Sequence, residues 1–258
     1  MVFKGLAHVH TNYSFDGKLN LSDYIEFARK NKISFILFAE HFDTFTEERY
    51  EKYKNACKKL SDNKLLLIPG IEYSAENGIH ILGFGIDKYI PANNIDDIVR
   101  VIRQTNGLAS YSHPVHQNFK YHDKLAGLDA IEIHNSKYDG VLSARYKSYL
   151  LYEKLKERKP GLSVTCGTDY HKFCDFESYV YLYVDLDKID KNKILDQIKN
   201  KNCKFGNDLI KYNIEKLNII SYILMTISEY IYLPVRNLKK RARLSLKRRL
   251  ASLFGGVR

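Results

Sequence analysis

The chain has 258 residues, of which 45% are hydrophobic and 28% are charged, and its formal net charge at pH 7 is +11. These proportions are those of a folded globular protein and exclude a disordered chain, and the length suffices for a large domain or a smaller domain with an appendage. Residues 236–258 contain nine Lys and Arg and no acid, whereas residues 1–235 contain 32 basic and 30 acidic side chains. The nearly neutral body therefore argues against binding of a long polyanion such as nucleic acid.

The cysteines and the N-terminal segment indicate the cellular compartment. Cys57, Cys166, Cys174 and Cys203 form no CxxC pair. No basic and then apolar signal segment precedes the first strand-like run, so we expect a protein of the reducing cytoplasm. The apolar stretch 218–235 is interrupted by Glu229, and we predict no membrane-spanning helix.

Short apolar or β-branched runs alternate with longer runs of helical period along the chain. This alternation is typical of parallel strands joined by crossover helices, and it predicts an α/β fold. The predicted strands cover 3–9, 35–39, 65–71, 79–84, 108–112, 130–134, 162–166 and 180–184. The first predicted helix follows an N-cap at Ser22 and ends at Asn31, and the others cover 47–60, 95–105, 144–157 and 191–201.

The last strand-like piece closes at Gly206-Asn207, which divides the chain into two predicted parts. We expect a catalytic domain over 1–207 and a helical extension with a basic tail over 208–258. Several apolar residues of the tail fall on one broad helical face among the Lys and Arg side chains: Leu238, Ala242, Leu246, Leu250 and Leu253. This pattern favours an interfacial helix at an anionic membrane, or equally a helix packed on the body with a solvated basic end; nucleic-acid binding is the third alternative.

Imidazoles and carboxylates recur where the predicted strands end. They are His8 and His10, Glu40 and His41, Glu72, His113, Glu132 and His134, and Asp169 and His171. Because all strands of a parallel α/β barrel open onto one face at their C-terminal ends, we expect these side chains to converge. The residues of a His-x-His or Asp-x-His pair in a strand point to the same face. Nitrogen and oxygen donors without cysteine favour Zn, Mn or Fe.

Six segments in order resemble the motifs of the PHP (polymerase and histidinol phosphatase) superfamily over about residues 1–207. They are Gly5-Leu-Ala-His8-Val-His10-Thr-Asn-Tyr-Ser-Phe-Asp16-Gly17, Ala39-Glu40-His41-Phe-Asp43, Pro69-Gly70-Ile-Glu72, His80-Ile-Leu-Gly83, Ser112-His113-Pro114 and Gly167-Thr-Asp169-Tyr-His171. The resemblance implies a distorted (βα)7 TIM-like barrel that holds two or three divalent metal ions and hydrolyses phosphate mono- or diesters.

The resemblance also implies a ligand set. His8, His10, Glu72 and Asp169 would hold one ion, and Glu72 would bridge to a second ion held by His113 and His80. Asp16, His41 and His171 would hold a third ion. A hydroxide shared by two ions would then attack phosphorus in line, without a covalent enzyme intermediate. The catalytic set implied in this way is His8, His10, Glu72, Asp169 and His171.

Four further positions bear on the site. Arg145 and Lys172 are the candidates for binding the phosphate. Glu40 stands where the family usually has Asp, and we expect it to orient His41 from behind despite its extra methylene. His134 is left out of the ligand set. The histidines at 116 and 122 are expected on the surface, with contact to a leaving group as the alternative.

The sequence thus predicts a cytoplasmic phosphatase or phosphodiesterase that acts on a small phosphorylated substrate, such as a nucleotide or sugar phosphate. A phosphotyrosine-protein phosphatase and a nuclease are the alternatives within the same superfamily. An alternative of another class is a metal-binding scaffold without catalytic activity, which loss of metal ligands would favour.

Overall fold

The computed structural model describes residues 1–173 and 179–254, and these form a mixed α/β fold. The strands are β1 (Val2–Val9), β2 (Phe35–Phe38), β3 (Glu40–His41), β4 (Leu66–Ile68), β5 (Gly70–Ser74), β6 (His80–Phe84), β7 (Leu108–Tyr111), β8 (Ala130–Asn135), β9 (Ser163–Gly167), β10 (Tyr181–Asp185), β11 (Cys203–Gly206) and β12 (Lys211–Tyr212). The helices are α1 (Leu21–Lys30), α2 (Glu47–Leu60), α3 (Ile95–Gln104), α4 (Ser136–Asp139), α5 (Tyr146–Arg158), α6 (Lys191–Lys199), α7 (Ile219–Ile227) and α8 (Leu233–Phe254). The predicted α/β class is confirmed.

The strands form two six-stranded sheets, ordered β12-β11-β10-β1-β2-β4 and β3-β5-β6-β7-β8-β9. The pairs β1–β2, β2–β4, β3–β5, β7–β8 and β8–β9 are parallel, as predicted. The prediction of parallel strands throughout is wrong for β6, which pairs antiparallel with both β5 and β7, and for β10, which pairs antiparallel with both β1 and β11. For β6 the reason is the short connection from Ser74 to His80, which has no room for a crossover helix.

The two sheets approach each other on both sides. On one side only Ala39 separates β2 from β3, and only Pro69 separates β4 from β5. On the other side the residues after β9 contact β1, where Asp169 N–H donates to the His8 carbonyl at 2.6 Å. Within the described residues the hydrogen-bonded ladders form two separate sheets and no single ring. A closed TIM-like barrel is therefore not confirmed.

The helices cover the sheets with apolar faces that the sequence encodes by spacing. In α3, for example, Ile95, Ile98 and Ile102 are buried in the core. Helix α1 begins two residues earlier than predicted, because its N-cap is Asn20 and not Ser22. The Asn20 side chain accepts from the Asp23 N–H, and the Asp23 carboxylate accepts from the Asn20 N–H, which completes a capping box.

Beyond Asn207 the chain continues the first sheet and then becomes helical. Strand β12 pairs antiparallel with β11, and α7, a π-helical turn (Ser228–Tyr232) and α8 follow. Met225 and Leu233 are buried against the body. We refer to residues 208–254 as the C-terminal extension. The division of the chain at residue 207 stays a prediction.

Two further predictions concern cysteines and the tail. Cys57, Cys166 and Cys203 are free and buried, whereas Cys174 lies outside the described residues. In the tail Leu238 is exposed, and the side chains of Leu246, Leu250 and Leu253 are not among those described. No helix in the described part of the chain is long and apolar enough to cross a membrane.

Candidate metal centre

The nine predicted metal ligands lie together at one end of the two sheets. They come from β1 and the loop after it, from β3, β5 and β6, and from the segments that follow β7 and β9. Four overlapping sets of three donors lie within 4.8 Å of one another. These sets are His8, His10 and Glu72; His8, His113 and Asp169; Glu72, His80 and His113; and His10, His41 and His171.

Two histidines, His8 in β1 and His10 just after it, face two carboxylates at the centre of this cluster. His10 Nε2 lies 3.3 Å from Asp169 Oδ1 and 3.5 Å from Glu72 Oε2. His8 Nε2 lies 3.7 Å from both Asp169 Oδ1 and Glu72 Oε1. All four side chains are buried, so their donor atoms share one enclosed space.

Glu72 also contacts the donors predicted for the other two ions. Its Oε1 lies 3.0 Å from His80 Nδ1 and 3.0 Å from His113 Nε2. Its Oε2 lies 3.3 Å from His41 Nδ1. A single buried carboxylate therefore joins every part of the cluster, and His80, which β6 directs inward from its first residue, is one of its neighbours.

The remaining donors gather around Asp16. Its Oδ1 lies 3.3 Å from His41 Nε2, and its Oδ2 lies 3.1 Å from His171 Nε2. The ring of His10 stacks between those of His41 and His171, with centroid distances of 4.4 and 4.2 Å. The ligands predicted for the third ion are thus in direct contact with His10, a predicted ligand of the first ion.

Three donor atoms of this cluster are buried and make no hydrogen bond: His8 Nε2, His10 Nε2 and Asp16 Oδ1. Burying a polar atom without a partner costs roughly 1–3 kcal/mol, so native structures rarely tolerate several such atoms in one place. Each of the three lies within 3.7 Å of another donor of the cluster. A set of nitrogen and oxygen donors that lack only a common partner fits a divalent ion.

The local electrostatics favours ionised carboxylates and a neutral His10 imidazole, which are the protonation states that bind metal. Burial raises the pKa of Glu72 and Asp169, but the neighbouring histidines outweigh it and hold both pKa values well below the usual range. Burial lowers the pKa of His10 to about 3, so that its imidazole is neutral. Burial also lowers the pKa of His8, but Glu132 and Glu72 together raise it well above its ordinary value. Metal would therefore displace a proton from His8.

Glu132, one of the carboxylates at the predicted strand ends, lies directly behind the cluster. Its Oε1 lies 2.8 Å from His8 Nδ1, and its Oε2 accepts the His113 backbone N–H at 2.7 Å. A Cβ on Gly167 would stand 1.8 Å from Glu132 Oε1, so only glycine leaves room for this carboxylate. A carboxylate on the far nitrogen of a metal-binding imidazole fixes the ring and its tautomer.

The backbone is strained at three of the predicted ligands. His8, His113 and Asp169 have φ of 55°, 23° and 52°, in the left-handed region that side chains other than glycine rarely adopt. The strain at His8 coincides with a register shift between Ala7 and Val9. The imidazoles of His8 and His10 therefore converge through a bulge at the end of β1, and not through the regular two-residue alternation that we expected.

Glu40 acts on its neighbours through Ser14. The carboxylate accepts from the hydroxyls of Thr11 at 2.6 Å and Ser14 at 2.5 Å, and burial raises its pKa to about 7. Ser14 Oγ in turn accepts the His41 backbone N–H at 3.0 Å. The contact between Glu40 and His41 is therefore indirect and runs through the Ser14 hydroxyl.

Two side chains at the cluster, Lys137 and Tyr138, were not predicted, and a third, His116, is exposed as expected but also lies beside the cluster. Lys137 Nζ and the Tyr138 hydroxyl, both from α4, donate to Asp169 Oδ2 at 2.8 Å. His116 packs against His113 and Tyr138, with centroid distances of 4.2 and 4.7 Å. The available signal was their place just after strands β7 and β8, where other ligands of the cluster also lie.

The two residues predicted to bind phosphate, Arg145 and Lys172, differ in their surroundings. Arg145 is in a salt bridge with the buried Glu229, with Nη2 to Oε1 at 3.0 Å, and is not directed to the cluster. Its partner is 84 residues away, so no local pattern could reveal it. Lys172 follows His171 directly and is exposed. His134 donates from Nε2 to the Gly140 carbonyl at 2.8 Å, away from the cluster.

Together the fold and the cluster define an α/β protein with a buried set of nitrogen and oxygen donors that could hold metal ions. A model of the PHP domain family matches residues 7–162. This chain belongs to the PHP domain family. The match ends before Asp169 and His171, which the structure nevertheless brings to the cluster.

Solved structures show the same fold at low sequence identity. PsfC from Pseudomonas syringae PB-5123 has a TM-score of 0.56 and 14% identity, over 91% of this chain and 98% of that chain. A candidate metal-dependent phosphoesterase from Bifidobacterium adolescentis has a TM-score of 0.50 and 16% identity, over 65% and 87%. Endonuclease Q, complexed with a 27-mer duplex, has a TM-score of 0.51 and 12% identity, over 77% of this chain and 57% of that chain. A search of curated proteins gave no significant match.

Proposed function

We propose that this protein is a metal-dependent hydrolase of phosphoesters. The observation that carries the proposal is the set of four overlapping donor triads around Glu72, in which three buried donor atoms lack a partner. Divalent ions bound there would polarise the phosphoryl group and lower the pKa of a water molecule that attacks phosphorus in line. Membership of the PHP domain family and the likeness to a candidate phosphoesterase support the same reaction class.

The residues divide into three ligand groups in this proposal. His8, His10, Glu72 and Asp169 hold one ion, and Glu72 with His80 and His113 holds a second. Asp16, His41 and His171 hold a third. Neutral imidazoles and ionised carboxylates suit Zn, Mn or Fe. Glu132 keeps His8 and His113 in place. We also propose that the sheets are the two parts of a distorted barrel.

The substrate that we propose is a small phosphorylated metabolite. The nearly neutral charge of residues 1–235 gives a polynucleotide little to bind. A nuclease or a phosphotyrosine-protein phosphatase would use the same ions, and assays decide among them. A scaffold without activity is disfavoured because none of the nine predicted ligand positions has lost its donor.

The proposal is tested with purified full-length protein, loaded with Mn or Zn, on p-nitrophenyl phosphate, bis-p-nitrophenyl phosphate, a phosphotyrosine peptide and a short oligonucleotide. We expect cleavage of at least one ester and loss of both metal and activity in His8→Ala. The matched control is His122→Ala, a histidine outside the cluster, which should retain both. Full activity in His8→Ala would reject the site, and stoichiometric metal without any cleavage would favour the scaffold.

For the C-terminal extension we propose contact with an anionic membrane surface. Its outer face exposes a row of apolar side chains: Ile219, Ile220, Ile223, Ile227, Tyr230, Ile231, Val235 and Leu238. The basic run that begins at Arg236 follows directly. An apolar face beside Lys and Arg suits the boundary between acyl chains and anionic headgroups, where each basic residue contributes about 1 kcal/mol.

Liposome co-sedimentation tests this second proposal on the full chain. We expect sedimentation with phosphatidylserine-containing vesicles, weaker sedimentation at high salt, and little with pure phosphatidylcholine. Ile220→Ser combined with Ile223→Ser should reduce binding, whereas Leu209→Ser, an exposed apolar residue outside this row, should not. Equal sedimentation on neutral and anionic vesicles, or none on either, would reject the proposal.

A further inference from the structure

The short helix α4 brings two side chains to the metal centre that the ligand set does not include. Lys137 Nζ and the Tyr138 hydroxyl both donate to Asp169 Oδ2 at 2.8 Å. The other oxygen of this carboxylate, Oδ1, lies 3.3 Å from His10 Nε2. Asp169 is therefore held with one oxygen toward the histidines and the other toward α4.

Lys137 reaches the cluster from the solvent side. Its side chain is 39% exposed, whereas that of Asp169 is 4% exposed. The ammonium has three N–H donors, of which Asp169 and His171, 3.4 Å away, engage at most two. A partly free cation at the rim of a buried metal centre lies where an incoming anion first meets the protein.

We propose that Lys137 binds the phosphoryl oxygens of the substrate and that Tyr138 positions Asp169. A compact ammonium is a common partner of phosphate and needs no planar approach, unlike the guanidinium of arginine. Arg145 cannot take this role because Glu229 binds both its Nε and its Nη2. The inference rests on the proposed phosphoesterase function and adds to it the group that recognises the substrate.

The C-terminal extension fixes the backbone that carries these two side chains. Arg236 of α8 donates from Nη1 to the Tyr138 carbonyl and from Nη2 to the Lys137 carbonyl, both at 3.1 Å. The last carbonyls of a helix lack partners within it, so Arg236 caps α4 from another part of the chain. Arg236 is thus a positioning residue for the phosphate-binding lysine.

A second contact between the extension and α4 follows at Gly140. Its φ is +73°, and a Cβ there would stand 2.6 Å from the ring of Tyr232. The close approach of Tyr232 therefore requires glycine just after α4. Two residues of the extension, four apart in sequence, hold the same turn, which makes the extension a component of the substrate site.

The experiment compares Lys137→Met, Lys137→Arg, Arg236→Ala and Arg236→Lys with the wild-type holoenzyme. Four quantities are measured: metal content, the Kd of inorganic phosphate by calorimetry, and KM and kcat on the best ester. For Lys137→Met we expect phosphate Kd and KM to rise about 10- to 100-fold at unchanged metal content, since a charged hydrogen bond is lost. Lys137→Arg should recover part of this loss.

For Arg236→Ala we expect a smaller rise of about 3- to 10-fold in phosphate Kd, with recovery in Arg236→Lys. Lys239→Ala, an exposed cation on the same helix, is the matched control and should not change it. Unchanged phosphate affinity in Lys137→Met, or loss of metal instead, would show that Lys137 only orients Asp169 and would overturn the inference. Unchanged affinity in Arg236→Ala would overturn the positioning role.

The two proposals fail in different ways. If the wild type binds phosphate through Lys137 but cleaves no ester, the proposed function is wrong and the binding site stands. If the wild type cleaves esters and Lys137→Met binds phosphate as tightly as it does, the hydrolase stands and this inference is wrong.

Discussion

The metal centre and the C-terminal extension use buried charge in opposite ways. At the centre, buried donors such as His8 Nε2 and His10 Nε2 converge without hydrogen-bond partners. In the extension, both oxygens of Glu229 accept hydrogen bonds from Arg145, and the pair is complete within the chain. A satisfied buried pair stabilises the fold, whereas a convergent set of unsatisfied donors marks the place where an external ligand binds.

The largest effect is expected for Glu72→Gln, which removes the negative charge that contacts every part of the cluster. Because Glu72 contacts His8, His41, His80 and His113, we expect loss of metal and a fall in kcat/KM of about 10³-fold. Metal analysis and steady-state kinetics measure both. Glu76→Gln, a less buried acid four residues on, is the control. Retention of metal and rate would show that Glu72 is not a ligand.

The corresponding change in the extension is Glu229→Ala, which leaves Arg145 partly buried without its partner. Breaking a buried ion pair from one side costs about 3 kcal/mol, so the free energy of unfolding should fall by that amount. Urea denaturation measures it. Glu153→Ala, whose pair with Lys156 is more exposed, should cost less than about 1 kcal/mol. A similar small cost at Glu229 would mean that the pair does not anchor the extension.

Glu132→Gln tests a buried acid that has its hydrogen-bond partners and yet lies inside the metal centre. It orients two ligands without being one, so we expect metal affinity to fall about 10- to 100-fold while the fold persists. Competition with a chelator gives the affinity. Glu157→Gln, an exposed acid, is the matched control. An unchanged affinity would limit Glu132 to a role in packing.

The smallest expected effect is at Asp139, near the junction between the two regions. Burial raises its pKa from 3.8 to about 7, so the folded state binds a proton that the unfolded state has already released. Wild-type stability should therefore fall relative to Asp139→Asn as the pH rises from about 4 to about 7. We expect the difference in unfolding free energy to change by about 1 kcal/mol for each pH unit over this range. A pH-independent difference would show that Asp139 is ionised throughout.

Much of the fold was predictable because periodicity and capping are local. Helix α2 has the predicted bounds, Glu47–Leu60, and seven of the eight predicted strands are found within one residue of their expected ends. The predicted strand over 65–71 is wrong, because the chain forms two strands there, β4 and β5, which belong to different sheets. The cap of α1 was missed because Asn20 and Ser22 are both good N-caps, and only the backbone conformation decides between them. The antiparallel β6 was missed because periodicity does not reveal strand direction.

The convergence of the predicted ligands could be predicted because strand ends meet at one face, whichever helices connect them. The side chains that surround the ligands could not be predicted in this way. Glu132, Lys137 and Tyr138 owe their roles to distances across the fold, and α4 turns the chain sharply after β8. The pairing of Arg145 with Glu229 joins residues 84 apart, which no local pattern encodes. Sequence periodicity reports which face a side chain occupies, not which partner it meets there.

The left-handed backbone at His8, His113 and Asp169 has a consequence for how this protein can change over evolutionary time. Glycine would relieve the strain at each position, so these substitutions would trade activity for stability. A descendant that no longer needed its metal would gain by accepting them. Glycines at these three places would therefore identify a degenerate member of the lineage, in which selection for catalysis has ceased and selection for folding alone remains.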